Sequence, residues 1–466
     1  MSPDLRHAAV YENILHAVGN TPLVNLARLR PQGGARILAK VEYMNPGGAI
    51  KDRMAVYMIE RAEADGRLKP GGTIVENTSG NTGVGLAMAA ALKGYKCVFT
   101  IPDKMSAEKI NTLKAFGAEV YVCPTNVPAE HPDSYYETAK RLASEIKGAW
   151  YPNQYHNKDN IDAHYHSTGP EIWRQTGGKI DAFVIGLGTG GTMSGAGKYL
   201  KEQNPSLLNI GADPVGSVYH ALFHTGKPSQ PHVYKVEGIG EDMICGAMDM
   251  TVLDDIRQVD DRQSFLMARR ACREEGLLCG GSSGSSLHVA VEVAREMRPD
   301  QAVVTVLPDG GRAYITKFYS DEWMRDMGFM PEAPDVGTVG DLLEVKTMQL
   351  ITATPEERAQ QVVHRMKQYG ISQMPIIDAS GRAVGMIHES DLLSALLEGK
   401  HRLDQPIEDL VSELHGVVEP RTPLWELKHI FGHDHVAVVQ KEGRIVGVVT
   451  QIDLIDYLGQ KMNGRG

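Results

Sequence analysis

The 466-residue chain has no run of five or more basic residues, and its 48 Lys and Arg are outnumbered by 58 Asp and Glu, a formal charge of −10. Nucleic acid and anionic membrane are held by concentrated basic patches, so neither is an expected partner. Cysteine is scarce and odd in number: Cys97, Cys123, Cys245, Cys272 and Cys279 are scattered, with no CxxC pair and no zinc-ligand spacing. That argues against a disulfide framework and matches a protein kept reduced. Apolar runs are short, and the longest, Ala87 to Leu92, is far below the ~20 residues that span a bilayer. The opening MSPDLRHAAVYENIL holds no apolar signal core. A soluble, cytoplasmic protein is expected. Aromatics are only 6% of residues while glycine supplies 49, which suits an α/β protein rich in tight turns.

This length exceeds one ordinary core, so two or three domains are expected. From about residue 20 to 320, RILAKVEY, TIVEN, CVFTI, EVYVC, AFVIGL and AVVTVLPDGG are separated by helical patterns such as TGVGLAMAAALKG and SAEKINTLKAFGA. Strand alternating with helix predicts a mostly parallel sheet covered on both faces. Lys-Gly-Tyr and Phe-Gly-Ala put glycine where a helix C-terminus takes positive φ. Beyond MGFMPEAPDVGTVGDLLE, rich in proline and glycine, the pattern changes. There GRAVGMIHESDLLSAL (381 to 396) recurs as GRIVGVVTQIDLIDYL (443 to 458), offset by 62 residues. Two β-α-β-β-α units of that size must pack on one another to bury a core. The expected division is a catalytic unit over 1–325, a linker over 326–340, and repeats over 341–400 and 401–466.

IGLGTGGTMSGAGKYL runs a buried strand into a helix through Gly186, Gly188, Thr189, Gly190, Gly191 and Thr192. Backbone N–H groups without Cβ atoms around them, at a positive helix end, suit a phosphate. Gly186, Gly188 and Gly191 also satisfy GxGxxG, with Asp213 about 20 residues on, so a nicotinamide dinucleotide stays open at this point. TIVENTSGNTGVGLAMAAAL collects Thr78, Ser79, Gly80, Asn81 and Thr82 at a second helix N-terminus, which suits a carboxylate or an ordinary helix cap. One anion hole for a phosphate and one for a carboxylate suggest an amino acid meeting a phosphorylated cofactor. Lys51 in GGAIKDR lies near a helix start among Ala49, Ile50, Met54 and Ala55. Such a lysine loses its proton more easily and can form a Schiff base with an aldehyde, although alone it would read as a surface charge. In CGGSSGSS, Ser282 offers a hydroxyl to a neutral partner or caps a helix. Two His-x-His pairs, His164/His166 and His433/His435, have no Cys or carboxylate at ligand spacing, so no metal is expected.

GNTPLVNL, NPGGAIKDR, TSGNTG, GTGGT, EGIG, CGGSSG and LPDGG, in this order over about residues 11 to 320, resemble the fold type II pyridoxal-phosphate enzymes that act at the β-carbon of serine-like amino acids. The tandem repeat is similar to the paired regulatory modules called CBS domains. The resemblance implies two open, mostly parallel α/β subdomains followed by a tandem CBS module. It implies that Lys51 binds the cofactor aldehyde, that Gly188, Thr189, Gly190, Gly191 and Thr192 hold its phosphate, that Asn81 bonds the ring 3′-oxygen, and that Ser282 bonds the pyridine nitrogen. The substrate carboxylate is then expected at Thr78, Ser79, Gly80, Asn81 and Thr82, with Gln154 and Tyr155 close by and Gly238 of the loop Glu237 to Gly240 beside the incoming thiol.

The implied reaction is a β-replacement: serine loses water, Lys51 moves the Cα proton, and homocysteine adds to give cystathionine, with hydrogen sulfide as a side product from cysteine. O-acetylserine-dependent synthesis of cysteine or cystathionine shares the same motifs. A nicotinamide oxidoreductase and an adenosine-nucleotide sensor with a vestigial catalytic half are the readings from other classes. Glu241 stands where animal members place an aromatic residue, which leaves the second substrate open. About ten residues precede YENILHAVGNTPLV and no CxxC follows the phosphate loop, so neither haem nor the redox motif of animal members is expected. In CBS modules a Thr and an Asp three residues later bind a ribose. Thr450 and Asp453 fit, whereas the first copy has His388 and Asp391; Ile371 and Gln373 are candidate walls. S-adenosylmethionine, AMP and ATP are the candidate ligands, a purely structural pair is the rival, and a homodimer or larger homo-oligomer is implied.

Overall fold

The structure is a computed structural model that describes residues 10–463 apart from 79, 104, 106, 125, 129, 332–335, 347–349 and 432–435. Ser79, His433 and His435 therefore lie outside the described residues. The chain divides into two compact units, Met1–Met330 and Pro331–Gly466.

In the first unit the strands are β1 (Leu23–Asn25), β2 (Arg36–Val41), β3 (Thr73–Asn77), β4 (Lys96–Pro102), β5 (Glu119–Cys123), β6 (Ala149–Trp150), β7 (Ala182–Gly186), β8 (Leu208–Pro214), β9 (Asp255–Val259) and β10 (Ala302–Leu307). They form two sheets, ordered β1-β2-β10-β7-β8-β9 and β5-β4-β3-β6. Among the described residues every pairing is parallel except β1 with β2. All of β3 and all of β10 are buried, as strands with helices on both faces are, including the polar Glu76 and Asn77 at the end of TIVEN and Thr305 within AVVTVL.

Phe265 and Ala268 of Asp261–Glu275 and Leu287 and Ala290 of Gly281–Glu296 cover one face of the larger sheet. Ile172 of Thr168–Thr176 and Leu200 of Lys198–Gln203 cover the other. The smaller sheet packs on Met54 and Met58 of Lys51–Ala64 and Leu86 of Asn81–Lys93, and on its far side on Ala139 and Leu142 of Tyr135–Glu145. The glycines of Lys-Gly-Tyr and Phe-Gly-Ala end their helices at φ +76° and +87°, as expected. β3, β7 and β10 all discharge into loops at their carboxyl ends, where parallel α/β sheets open a crevice.

In the second unit β11 (Gln373–Ile377) pairs antiparallel with β12 (Ala383–His388), and β14 (Ala437–Lys441) with β15 (Arg444–Val449). Both hairpins shift register at the equivalent place, between Ile376 and Ile377 and between Val439 and Gln440, and each leads into a helix, Glu389–Leu397 or Gln451–Asn463. The opening strand expected in each repeat is present as β13 (Val417–Val418) in the second copy but shrinks to a single bridge, Ala353 to Ile376, in the first. Pro355 follows two residues later and has no N–H to extend that ladder.

The helix Val339–Val345 lies at the start of the first repeat, yet buries Val339 and Leu342 against Leu424, Phe431 and Val439 of the second. Ile407, which opens the second stretch, in turn completes the first repeat's core with Val362, Met366 and Ile376. Among the described residues no helix is long and apolar enough to cross a membrane.

Candidate active site

Lys51 opens the helix Lys51–Ala64, and its surroundings fix that start. The Ile50 N–H donates to the Pro308 carbonyl (2.8 Å), Ala49 bridges Asp309, and the Asp52 carboxylate turns back to accept the Gly47 N–H (2.6 Å). Arg53 is buried and forks between two carboxylates. Its Nε and Nη2 donate to Glu42 Oε2 and Oε1 (2.7 and 2.8 Å), and its Nη1 and Nη2 to Glu171 Oε1 and Oε2 (2.9 and 2.8 Å). Lys40 Nζ adds a 2.9 Å bond to Glu171. Burial opposes ionisation of both acids, but the Arg53 charge outweighs it and holds Glu42 below the usual carboxylate range and Glu171 at about 2.

The Asp-Arg pair after Lys51 is thus scaffold. Lys51 Nζ itself forms no hydrogen bond or ion pair with a described residue. Burial holds it below the ordinary lysine range, with Glu241 and Cys245 pulling the other way, so a larger share of the neutral, nucleophilic amine is present.

After β7, the Gly186 N–H is taken by Ser286 Oγ (2.9 Å) and the Leu187 N–H by the Ala212 carbonyl (2.9 Å). The next five N–H groups, Gly188 to Thr192, donate to no described residue. Five unspent donors in a row at a strand-to-helix junction make an anion cradle. The helix Asp159–His166 backs it. Asn160 Nδ2 donates to Thr189 Oγ1 (3.1 Å), and His164 Nε2 lies 3.2 Å from Thr192 Oγ1. A Cβ on Gly191 would fall 2.1 Å from Asn160 Oδ1, so a side chain there would drive the loop off its support.

After β3, Thr78 Oγ1 accepts from the Gly80 and Gly83 N–H groups (3.1 and 3.2 Å) and serves as the helix cap. The Asn81 and Thr82 N–H groups donate to no described residue and form a second, smaller anion site. Asn81 Nδ2 donates to Asp309 Oδ2 (3.1 Å), which also accepts from the Tyr314 hydroxyl (2.8 Å). Thr82 Oγ1 donates to Gln154 Oε1 (2.7 Å), and the Gln154 carbonyl accepts from Asn160 Nδ2 (2.9 Å). The two cradles are therefore joined by one hydrogen-bonded chain, Thr82 to Gln154 to Asn160 to Thr189. Tyr155 follows Gln154 and is buried against Tyr136.

Ser282 sits in the first turn of Gly281–Glu296, and its hydroxyl has no described hydrogen-bond partner. It is the nearest atom, at 4.0 Å, to where a side chain on Gly238 would begin, and the Gly238 carbonyl is the first atom, at 3.0 Å, that one on Gly188 would meet. Glu237 is gripped by Lys109 and by Lys317 (2.5 Å), so an ion pair joins the helix Ala107–Ala115 beside the smaller sheet to the loop that faces the phosphate cradle. Burial opposes its charge, and the two lysines overrule that and keep Glu237 below the usual range. Burial and neighbouring Asp242 push Glu241 up to about 8, with the Lys51 charge acting against them.

Lys51, Asn81, Gly188 to Thr192, Gln154, Gly238 and Ser282 therefore sit on connected segments around one crevice. Asp213, the acid of the dinucleotide reading, is buried and accepts the His220 N–H (2.9 Å). His164 serves the loop, and no cluster of three or more His, Cys, Asp or Glu that could hold a metal occurs among the described residues. Sequence reasoning missed Asn160, Asp309, Lys109 and Lys317. The i, i+4 spacing of Asn160 and His164, which puts both on one helix face, was the available signal for the first; the lysines gave none. In the repeats, Thr450 Oγ1 and N–H donate to Asp453 Oδ2 (2.6 and 2.7 Å), which also accepts from Lys346 Nζ (2.7 Å). Gln373 pairs with His388 and Ile371 packs on the first copy's core.

Residues 14–309 match the pyridoxal-phosphate dependent enzyme family, and 339–398 and 405–460 match the CBS domain. Cystathionine beta-synthase from Mus musculus is 39% identical over 488 residues, covering 97% of this chain and 86% of its own. The Saccharomyces cerevisiae enzyme of that name is 35% identical over 504 residues, 98% of each. Cysteine synthase 1 from Emericella nidulans is 42% identical over 326 residues, 69% of this chain and 88% of its own. The crystal structure of an O-acetylserine dependent cystathionine beta-synthase from Helicobacter pylori superposes with a TM-score of 0.61 at 33% identity, over 66% of this chain and 98% of that one. The residues present fit the cofactor of that family: five unspent N–H donors suit its phosphate and an unpaired lysine amine its aldehyde. On these grounds the chain belongs to the cystathionine β-synthase family of pyridoxal-phosphate-dependent β-replacement enzymes.

Proposed function

We propose that this enzyme condenses L-serine with L-homocysteine to give L-cystathionine and water, a transsulfuration step of cysteine biosynthesis, with hydrogen sulfide formed when cysteine enters instead. The observation that carries this reading is a pair of unspent anion cradles, one of five N–H groups that suits a phosphate and one of two that suits a carboxylate, together with an unpaired lysine amine. Likeness to cystathionine β-synthases along 97% of the chain supports homocysteine as the second substrate.

When bound, pyridoxal phosphate supplies the electron sink that makes the Cα proton of an amino acid acidic. Lys51 Nζ meets its aldehyde, Gly188, Thr189, Gly190, Gly191 and Thr192 hold its phosphate, and Asn81 and Ser282 orient its ring at the 3′-oxygen and the nitrogen. A serine hydroxyl leaves that nitrogen less firmly protonated than a carboxylate would, which favours loss of the β-substituent. Thr78, Ser79, Gly80, Asn81 and Thr82, with Gln154 and Tyr155, receive the serine carboxylate. Lys51, displaced as the neutral amine that burial favours, takes the Cα proton and later returns one. In its ammonium form it protonates the departing hydroxyl, so one water leaves for each serine consumed, and the neutral amine then takes the proton of the incoming homocysteine thiol, which is the one it delivers to Cα. Glu237, pinned by two lysines, keeps the loop that carries Gly238 beside the path of the incoming thiol.

A second reading, O-acetylserine as the first substrate, is favoured by the Helicobacter pylori relative, which is described as O-acetylserine dependent. Steady-state turnover with serine plus homocysteine is compared with O-acetylserine plus sulfide and with O-acetylserine plus homocysteine. The proposal expects the highest kcat/KM for the serine pair. A much greater value for either acetylated pair would replace it with the second reading.

A further inference from the structure

His164 is fully buried under the glycine loop and spends both ring nitrogens on threonine hydroxyls. Nδ1 lies 2.9 Å from Thr168 Oγ1 and Nε2 3.2 Å from Thr192 Oγ1. Burial, joined by the nearby Lys51 and Arg53 charges and opposed by Glu42, lowers its pKa to about 3, so the ring is neutral and carries one proton. A neutral imidazole donates from one nitrogen and accepts at the other, which leaves two tautomers.

Thr168 distinguishes them. It too is fully buried, and His164 is the hydrogen-bond partner of its hydroxyl. If Nδ1 carried the proton, the Thr168 hydroxyl would accept it and its own proton would be stranded in the interior without an acceptor, a penalised arrangement. With the proton on Nε2, Thr168 donates to Nδ1 and every group is satisfied. Nε2–H then donates to Thr192 Oγ1, and the single proton of that hydroxyl is turned away from the histidine. Thr192 is only part-buried and belongs to the loop whose five N–H groups remain unspent, so its proton is available to a ligand held there. Asn160 repeats the device: its Nδ2 donates to Thr189 Oγ1 from behind, which leaves the Thr189 proton free to point outward as well.

We propose that Thr168, His164 and Thr192 form a directed hydrogen-bond chain that aims the Thr192 hydroxyl proton at the cofactor phosphate, which makes His164 a positioning residue for that group. The chain rests on the reading of Gly188 to Thr192 as the phosphate site. It acts on the phosphate alone, so the readout is the preference for pyridoxal phosphate over pyridoxal, which carries the same aldehyde without phosphate. Full-length protein stripped of cofactor is titrated with each compound by its visible absorption.

In His164→Phe the preference falls by roughly 10- to 100-fold, the worth of one hydrogen bond to a charged group, while pyridoxal binds as in the parent. His164→Gln, whose amide can donate near the position of Nε2, keeps most of the preference. Thr168→Val releases the tautomer and gives a smaller loss, of about 3- to 10-fold, a fraction of the same hydrogen-bond worth. If Thr192→Val loses the preference and His164→Phe and Thr168→Val keep it, the chain is refuted and the phosphate site stands. If Thr192→Val keeps it too, the chain is likewise refuted, and if the parent protein itself shows no preference for pyridoxal phosphate over pyridoxal, the phosphate site is refuted. Should His164→Phe fail to fold by circular dichroism, Thr168→Val with unchanged preference is sufficient to overturn the proposal.

Discussion

Arg53→Met isolates the scaffold that presents Lys51. The guanidinium makes four hydrogen bonds of 2.7 to 2.9 Å to Glu42 and Glu171, and Arg53 is 4% exposed while Glu42 and Lys40 are 0% exposed. Methionine keeps much of the volume and removes the charge. Two buried carboxylates are then left with Lys40 as their remaining cation, and removing one partner of a buried ionic cluster costs about 3–5 kcal/mol. For a unit of some 300 residues that corresponds to a fall of about 6–10 °C in Tm, at about 2 °C per kcal/mol.

The sign with pH separates this cause from simple loss of packing. In the parent, Glu42 and Glu171 are held below their unfolded value, so their stabilisation is present above about pH 4.3 and is lost as pH falls toward 2. In the variant burial acts with little opposition and raises both carboxyls above the unfolded value. Their contribution is then retained only at low pH and lost as pH rises. The gap in Tm between parent and variant is therefore widest near pH 7.5 and narrows toward pH 5, with these points chosen on either side of the shifted titrations. Thermal unfolding of the full chain followed at both pH values reads it directly. A fall of less than about 2 °C near pH 7.5, under 1 kcal/mol by the same conversion, or an equal fall at both pH values, would refute the reasoning.

Gly191→Ala is expected to weaken pyridoxal phosphate binding more than it weakens folding, because its Cβ would meet Asn160 Oδ1 at 2.1 Å and push away the group that holds Thr189. Overpacking of about 1–3 kcal/mol predicts roughly 5- to 150-fold faster loss of cofactor on dialysis, and retention equal to the parent would contradict the close approach. Lys346→Met leaves the Asp453 carboxylate held, among the described residues, by Thr450 alone, and because Lys346 and Asp453 are only 14% and 19% exposed the pair is little screened, so stability falls by about 1–3 kcal/mol. If Thr450 and Asp453 hold an adenosyl group, titration calorimetry detects S-adenosylmethionine binding more tightly in this variant than in the parent, since Lys346 no longer competes with the ribose hydroxyls for the Asp453 carboxylate. No heat with S-adenosylmethionine, AMP or ATP in either protein would retire that site.

The strands were legible because parallel interior strands are short and rich in β-branched apolar residues, which fits TIVEN and AVVTVL between glycine turns, although the full burial of Glu76 and Asn77 does not follow from that pattern. The order of the larger sheet was not, since β10 inserts between β2 and β7 through contacts that leave no local mark. The repeat shows a different limit. A period of 62 residues implies two equal modules, whereas burial assigns Val339 and Leu342 to the second copy's core and Ile407 to the first, because neither copy encloses an apolar centre alone.

At the site, residue type disclosed capacity and tertiary structure decided availability. Lys51, Asp52 and Arg53 are three charges in a row, but Glu42 and Glu171 claim the arginine and Gly47 the aspartate, so the lysine is left over. Thr78 is divided between the two. Its hydroxyl suited a substrate carboxylate as well as a helix cap, and it can serve both: the oxygen accepts from the Gly80 and Gly83 N–H groups, which shapes the loop, and the proton is left to an anion beside the Asn81 and Thr82 N–H groups. Thr78→Val should therefore act both through the shape of the loop and through the ligand, and substitutions that remove a group with no donor left to offer should act through shape alone. That distinction rests on which donors are left without a partner, and no motif records it.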